Sequence, residues 1–329
     1  MIIVGDIGGT KTNVALFADA GGPPGAPVAV RSYPSVGSAS LEAVVGEFVR
    51  EQRPERITRA CFGVAGPVIA GRVQTPNLAW DVDSRVLARA LGVESVTLIN
   101  DLEATAYGLE ALGPEQLHTL NDGEGGRPGH RGLIAAGTGL GMSALYWDGR
   151  RHHPMPSEGG HIDFAPRNEV EFALLTHLQH KIGGRVSYER ILSGPGLENV
   201  YDFLRGEGRA SETPRLSGEI DHAPDRAARI SAAALSGESE LAAKALDLFV
   251  EIYGAMAGNL ALLLKAVGGI YVGGGIAPKN LAKLKDGTFM RAYLDKGRMS
   301  RLVASFPVHV ILDDKTPLYG AALRATLAD

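Results

Sequence analysis

One pattern constrains the fold more than any bulk property: two apolar runs joined by a glycine- and threonine-rich turn, occurring twice in the chain. The first copy is Val4-Gly5-Asp6-Ile7-Gly8-Gly9-Thr10-Lys11-Thr12-Asn13, entered from Ile2-Ile3-Val4 and left through Val14-Ala15-Leu16-Phe17. Both flanks read as strands. A Gly-x-x-x-x-Gly-Lys phosphate loop and a dinucleotide fingerprint both turn into a helix, so neither fits. Glycines at 8 and 9 let the backbone approach an anion and aim its N–H groups at phosphate oxygens. Thr10 can donate to the same oxygens, and Asp6 can hold water on a magnesium ion. Taken alone, the turn reads equally well as an ordinary hairpin rich in Gly and Thr.

The second copy is Leu133-Ile134-Ala135-Ala136-Gly137-Thr138-Gly139-Leu140-Gly141-Met142-Ser143-Ala144-Leu145-Tyr146-Trp147, with Asp148-Gly149 as the next tight turn. Two such hairpins far apart imply a duplicated unit whose halves face each other across one nucleotide. A third stretch, Gly268-Gly269-Ile270-Tyr271-Val272-Gly273-Gly274-Gly275-Ile276-Ala277-Pro278, is a strand entering a glycine loop, with Pro278 placed to open a helix. Only glycine lets a ring or ribose lie directly on the backbone there. Each signal is weak singly; in this order the three are strong.

These stretches resemble the actin-like ATPase-fold sugar kinases. Leu98-Ile99-Asn100-Asp101, Glu158-Gly159-Gly160-His161-Ile162-Asp163-Phe164-Ala165-Pro166 and Glu189-Arg190-Ile191-Leu192-Ser193-Gly194-Pro195-Gly196 narrow the resemblance to the bacterial hexokinase-type glucokinases, over nearly the whole length. The resemblance implies an α/β protein with the duplicated actin-like (ribonuclease H-like) fold and two domains with an intervening cleft. Residues 1–103, completed by about 313–329, would form the small domain and 104–312 the large one. The two hairpins would be phosphate loops, through Asp6, Gly8, Gly9, Thr10, Lys11 and Thr12 and through Gly137, Thr138 and Gly139. Gly274 and Gly275 would form the adenosine loop. ATP and Mg2+ are the implied cofactors, the ion held by Asp6 through water. Asp101 would orient and deprotonate the 6-hydroxyl of glucose, Asn100 would hold a neighbouring hydroxyl, and Glu158, His161 and Glu189 would bind the sugar. A homodimer is also implied. Lys11-Thr12 departs from the pattern and resembles more the related group of repressors, open reading frames and kinases. Kinases of another hexose or amino sugar, and a non-catalytic sugar sensor, therefore stay open beside glucokinase.

The residues can be weighed without the family. Asp101 follows the buried strand 96–99 and opens the helical pattern 102–112, a usual place for a ligand in such sheets. A lone Asn-Asp at that point reads more readily as a helix cap than as a base. A helix N-terminus favours the ionised carboxylate and so makes a weak base, which phosphoryl transfer tolerates because it asks mainly for alignment and late proton acceptance. A zinc site at His161 lacks ligands: the only cysteine, Cys61, lies in an apolar run and reads as a buried thiol. His152 and His153 read as surface residues.

The 329 residues suffice for two domains, and 45% hydrophobic content fits an ordinary globular protein. A net charge of -4 gives no basic footprint for nucleic acid, and the chain begins at the phosphate strand with no room for a helix-turn-helix. An actin-like assembly ATPase would lack the sugar carboxylates Glu158 and Glu189. The longest apolar helical pattern, 238–266, carries six Lys, Asp or Glu side chains, including Lys244, Asp247 and Glu251, and makes a poor membrane span. No membrane is therefore expected as a partner, and the cytoplasm is the expected location. Helices are further expected at 40–52 with Ser40 as cap, 83–91 ended by Gly92, 168–180 and 318–327; strands at 59–65, near 71–73 and at 308–312; and surface loop over 206–224. Residues 1–103 alternate strand and helix as a mixed, largely parallel sheet with covering helices would. Asn77-Leu78-Ala79-Trp80 reads as a loop at the cleft edge. A sugar touching both domains would close that cleft and exclude water.

Overall fold

The structure is a computed structural model and describes residues 1–20, 24–75, 78–125 and 127–327. The chain opens with strands β1 (Ile2–Ile7), β2 (Lys11–Phe17) and β3 (Ala29–Pro34), then helix α1 (Leu41–Gln52). Next come β4 (Arg59–Val64), β5 (Arg72–Gln74), β6 (Asp81–Asp83), α2 (Ser84–Leu91), β7 (Thr97–Asn100) and α3 (Asp101–Gly108). A second series runs β8 (Leu117–Asn121), β9 (Arg131–Ala136), β10 (Leu140–Trp147), β11 (His152–Ser157), α4 (Glu169–Ile182), α5 (Gly194–Gly206), α6 (Pro214–Asp221) and α7 (Arg226–Ser236). The chain ends with α8 (Glu240–Leu264), β12 (Ile270–Gly273), α9 (Ile276–Lys279), α10 (Leu281–Lys285), α11 (Thr288–Leu294), α12 (Ser300–Ala304), β13 (Val308–Ile311) and α13 (Thr316–Thr326). It is an α/β fold that divides into two compact units: Met1–Gln116 with His153–Pro156 and Asp313–Asp329, and Leu117–His152 with Ser157–Leu312.

In the first unit the sheet order is β3-β2-β1-β4-β7. The β1–β2 and β2–β3 pairs are antiparallel, and β1–β4 and β4–β7 are parallel, so the sheet is evenly mixed and not largely parallel. Strand alternation sorts its side chains cleanly. Ile3, Ile7, Val14 and Leu16 pack with Leu41, Val45 and Phe48 of α1 and with Leu87 of α2. Ile2, Val4, Ala15 and Phe17 pack on the opposite face with Ala104 of α3 and with Leu318, Ala321 and Ala322 of α13. A break near residue 103 would fall inside α3, whose packing on α13 assigns all of it to this unit. Ser40 caps α1 and Gly92 closes α2 in a left-handed conformation. Asn77 lies outside the described residues. Trp80 is no edge residue: it is buried in this core, its indole N–H donating to the Ser38 carbonyl at 3.1 Å.

The second unit repeats the plan. Of the second sheet, β10-β9-β12-β13-β8 lies in this unit, with β9–β10 an antiparallel hairpin and β9–β12 and β12–β13 parallel. Hairpin, neighbouring strand and two parallel strands thus recur in the same order in both sheets. Helix α8 is apolar on most sides because it is the core of this unit. By length and composition alone it could cross a membrane, but 72% of its most apolar window is buried inside the protein. Two expectations fail here. Residues 214–221, read as loop because of Pro214, Ser217 and Gly218, form α6, capped by the Thr213 hydroxyl and burying Leu216 and Ile220 one turn apart. His152 is half-buried, its ring tilted by 47° against Trp147 at 4.7 Å between ring centres, and its Nε2 lies 3.0 Å from the Gly129 carbonyl.

Candidate active site

The three glycine loops read as nucleotide-binding each sit at the carboxyl end of a strand that has a parallel neighbour, where α/β sheets present ligand sites. In the first unit the turn Gly8–Thr10 follows β1, and Asp101 follows β7 as the first residue of α3. The Gly8 N–H donates to the Lys11 carbonyl at 3.1 Å, closing the turn. Thr10 and Lys11 are exposed, and the Lys11 ammonium lies 3.9 Å from the still more exposed Asp314.

Thr12 behaves differently from the rest of the loop. Alternation along β2 turns it to the α1 face, where it is fully buried and its hydroxyl lies 2.9 Å from that of Ser35. It faces the core, away from the exposed side of the loop. Ser35 in turn donates through Oγ to the Gly8 carbonyl at 2.8 Å and through its backbone N–H to the Thr10 carbonyl at 3.0 Å. A buried serine following β3 therefore pins the turn at both ends.

Asp6 falls on the α3 face, in register with Asn13 across the hairpin. The Asn13 amide donates to Asp6 at 3.2 Å, and Ser32 of β3 donates to the Asn13 amide oxygen at 2.5 Å. This relay fixes the carboxyl from behind. Burial first, and the nearby Asp101 carboxylate second, push Asp6 up to about 6. Two acids are thus held close at one end of one sheet.

Asn100 and Asp101 form a helix start. The Asn100 side-chain oxygen caps Leu102 N–H at 2.9 Å while its amide donates to the Gly66 carbonyl at 3.1 Å. Asp101 Oδ1 shares the Leu102 N–H at 2.9 Å. The Glu103 carboxyl accepts the Asn100 backbone N–H, completing a capping box, and burial raises its pKa. The cap and the base readings of these residues are compatible: capping orients the strand-to-helix corner, and leaves the Asp101 carboxylate near enough to raise the Asp6 pKa.

In the second unit the turn Gly137–Gly139 follows β9, and the Gly137 N–H donates to the Gly139 carbonyl at 2.8 Å. Thr138 is its exposed tip. Tyr253, from the buried middle of α8, accepts the Ala136 N–H at 3.2 Å and lies 3.3 Å from the Gly273 carbonyl, tying the ends of β9 and β12 together. Gly274 has a φ of 79°, and a Cβ there would stand 2.2 Å from the Ala136 carbonyl oxygen, so only glycine brings this loop against the hairpin. Gly275 follows at the start of α9.

The three sugar candidates converge in this same unit. His161 lies in a single 3-10 turn, Gly159–His161, with Nε2 3.9 Å from Glu158 and Nδ1 3.9 Å from Glu189. Exposure falls from 72% at Glu158 through 52% at His161 to 28% at Glu189, so Glu189 is the deepest. A Cβ on Gly160 would lie 1.8 Å from the Leu140 carbonyl oxygen, which lets the turn rest directly on β10. Among the described residues no three His, Cys, Asp or Glu side chains gather as a metal cage. Asn13, Ser32, Ser35 and the backbone of Leu140 were not singled out in the sequence; strand alternation from Asp6 across the hairpin is the one signal that points to Asn13.

The paired glycine-turn hairpins, the carboxylate opening a helix and the Glu-His-Glu cluster are the features on which this α/β chain resembles the class of sugar kinases. A family model described as Glucokinase matches residues 3–328. A glucokinase from Nostoc sp. strain PCC 7120 is 40% identical over 338 residues, covering 99% of this chain and 98% of the relative. The chain belongs to the glucokinase family. Among solved structures, a glucokinase from an Antarctic psychrotroph superimposes with a TM-score of 0.83 at 30% identity, covering 98% of each chain. A Balamuthia mandrillaris glucokinase in complex with glucose has the same fold, with a TM-score of 0.82 at 22% identity over 98% of this chain and 93% of that one.

Proposed function

We propose that this chain transfers the γ-phosphoryl group of ATP to the 6-hydroxyl of glucose, giving glucose 6-phosphate and ADP. The convergence of Glu158, His161 and Glu189 on one turn carries this reading, because a polyhydroxylated ring needs several directed acceptors and donors and charged acceptors bind hydroxyls most strongly. Membership of the glucokinase family supports the same substrate.

In this reading the hairpins Gly8–Thr10 and Gly137–Gly139 cradle phosphates with backbone N–H groups, and the Gly274-Gly275 loop takes the adenosine. The fold is taken as the actin-like one that the family resemblance implies, and the cytoplasm as the place of action. Asp101 aligns the 6-hydroxyl and accepts its proton late in transfer, which a loose transition state permits. Asn100 acts chiefly by shaping the corner that presents Asp101, since both ends of its amide are already engaged.

A magnesium ion fits the donor set. Mg2+ uses one or two carboxylates with waters and phosphate oxygens and needs no protein cage, and the Asp6 carboxyl, fixed by Asn13 and crowded by Asp101, is a hard oxygen donor whose ionisation a cation would favour. When bound, the ion would neutralise charge on the phosphates. The test is ADP release with and without glucose: release that requires glucose supports the reading, whereas release at the same rate without it refutes it.

A further inference from the structure

Glu189 reaches two places at once. Its Oε2 accepts the Leu140 N–H at 3.0 Å, immediately after the second hairpin turn. A Cβ on Gly139 would lie 2.6 Å from the same oxygen, so the carboxylate lies directly against the turn. The other oxygen, Oε1, has no hydrogen bond among the described residues and faces His161 Nδ1 at 3.9 Å. The segment carrying Glu189 also grips the entrance of the turn, because the Gly194 N–H donates to the Gly137 carbonyl at 2.8 Å. Ser193 locks that segment by donating through Oγ to the Glu189 carbonyl at 2.7 Å. Leu140 is the shared anchor: Glu189 holds its N–H, and the Gly159–His161 turn rests on its carbonyl.

We propose that Glu189 couples the sugar to the nucleotide: one carboxylate oxygen holds the second hairpin in its anion-binding shape while the other is presented to the sugar. This deepens the glucokinase reading and rests on its assignment of the hairpin to phosphate and of Glu189 to sugar. A sugar hydroxyl bonded to Oε1 fixes the side-chain torsions that aim Oε2 at Leu140, so each ligand preorganises the site of the other. Linkage makes the effect equal in both directions.

Calorimetry with the non-hydrolysable analogue AMPPNP and magnesium, in the absence and presence of glucose, reads the coupling directly. In the wild type, saturating glucose should tighten AMPPNP binding by about fivefold or more. Glu189→Ala should weaken AMPPNP about tenfold without sugar and bring the coupling factor close to one. Glu189→Gln keeps an oxygen for the Leu140 N–H, so it should hold AMPPNP within about threefold of wild type while weakening glucose. Gly139→Ala places a methyl against Oε2 and should weaken glucose about tenfold, although Gly139 belongs to the phosphate hairpin. This variant and Glu189→Gln carry the test if Glu189→Ala does not fold. Wild-type AMPPNP affinity in folded Glu189→Ala, or wild-type glucose affinity in Gly139→Ala, overturns the coupling. Failure of the wild type to bind glucose at all would instead refute the underlying reading.

Discussion

The two hairpins share a strand plan but are held by different chemistry. Around the first, the turn is pinned by hydroxyl and backbone groups of an adjacent segment, Ser35 above all, and the acid belongs to the hairpin itself: Asp6, crowded by Asp101. Around the second, the hairpin contributes no acid, and a carboxylate from a separate segment, Glu189, grips it from outside. The strand plan is the same in both, and the difference lies in where the carboxylates are placed. On the proposed reading the first copy holds metal and base, and the second joins phosphate binding to sugar binding.

This division of labour can be broken at its strongest point first. Asp101→Ala should lower turnover by about two to four orders of magnitude while MgATP affinity stays near wild type; near-normal turnover in a folded variant would remove Asp101 from the chemistry. Gly160→Val should drive the Gly159–His161 turn off Leu140 and weaken glucose binding by about a hundredfold, with circular dichroism checking that the fold survives. Unchanged glucose affinity would show that the turn does not present sugar ligands.

Asp6 offers a test of opposite sign for stability and function. Its pKa rises on folding from 3.8 to about 6, so between those values the folded state keeps a proton that the unfolded chain has lost. The stability this group contributes is present below that window and declines as pH rises through it. Asp6→Asn should therefore stabilise the ligand-free protein at pH 8 by about 1 to 3 kcal/mol, leave it little changed at pH 4, and remove magnesium-dependent activity. Urea denaturation at the two pH values decides it; equal midpoints for variant and wild type at pH 8 would mean that Asp6 ionises without penalty. The smallest effect belongs to Ser35→Ala, which unpins the first turn but touches no ligand. It should weaken MgATP by about 0.5 to 1.5 kcal/mol and leave glucose affinity unchanged, and a loss confined to glucose would contradict the contrast between the hairpins.

What the sequence revealed was local. Glycine and threonine between two apolar runs specify a hairpin from their own backbone preferences, and Ser40, Gly92 and Asn168 mark helix ends within a few residues. The same logic was available at Thr213-Pro214, where polar residues outweighed a cap followed by proline and two apolar residues one turn apart. Thr12 shows a different limit: counting alternately along β2 would have sent it to the core, but its place in a glycine-rich loop suggested otherwise. Ser32, Ser35 and the Leu140 anchor were beyond reach, because their partners depend on strand register and on segments far away in the chain. Glu158, His161 and Glu189 were found through resemblance, since nothing local to Glu189 announces that it meets His161.

Asp101 stands at the head of a helix whose packing partner is made much later. Helix α3 lies with α13 against Ile2, Val4, Ala15 and Phe17, and residues 316–326 emerge from a ribosome roughly 10 to 40 s after α3 at about 5 to 20 residues per second. During that interval one apolar face of the first sheet has only α3 to cover it, although every one of its strands has been synthesised. The outer side of α3, which carries Asp101 at its head, therefore gains its packing partner only after translation has passed through the whole second unit.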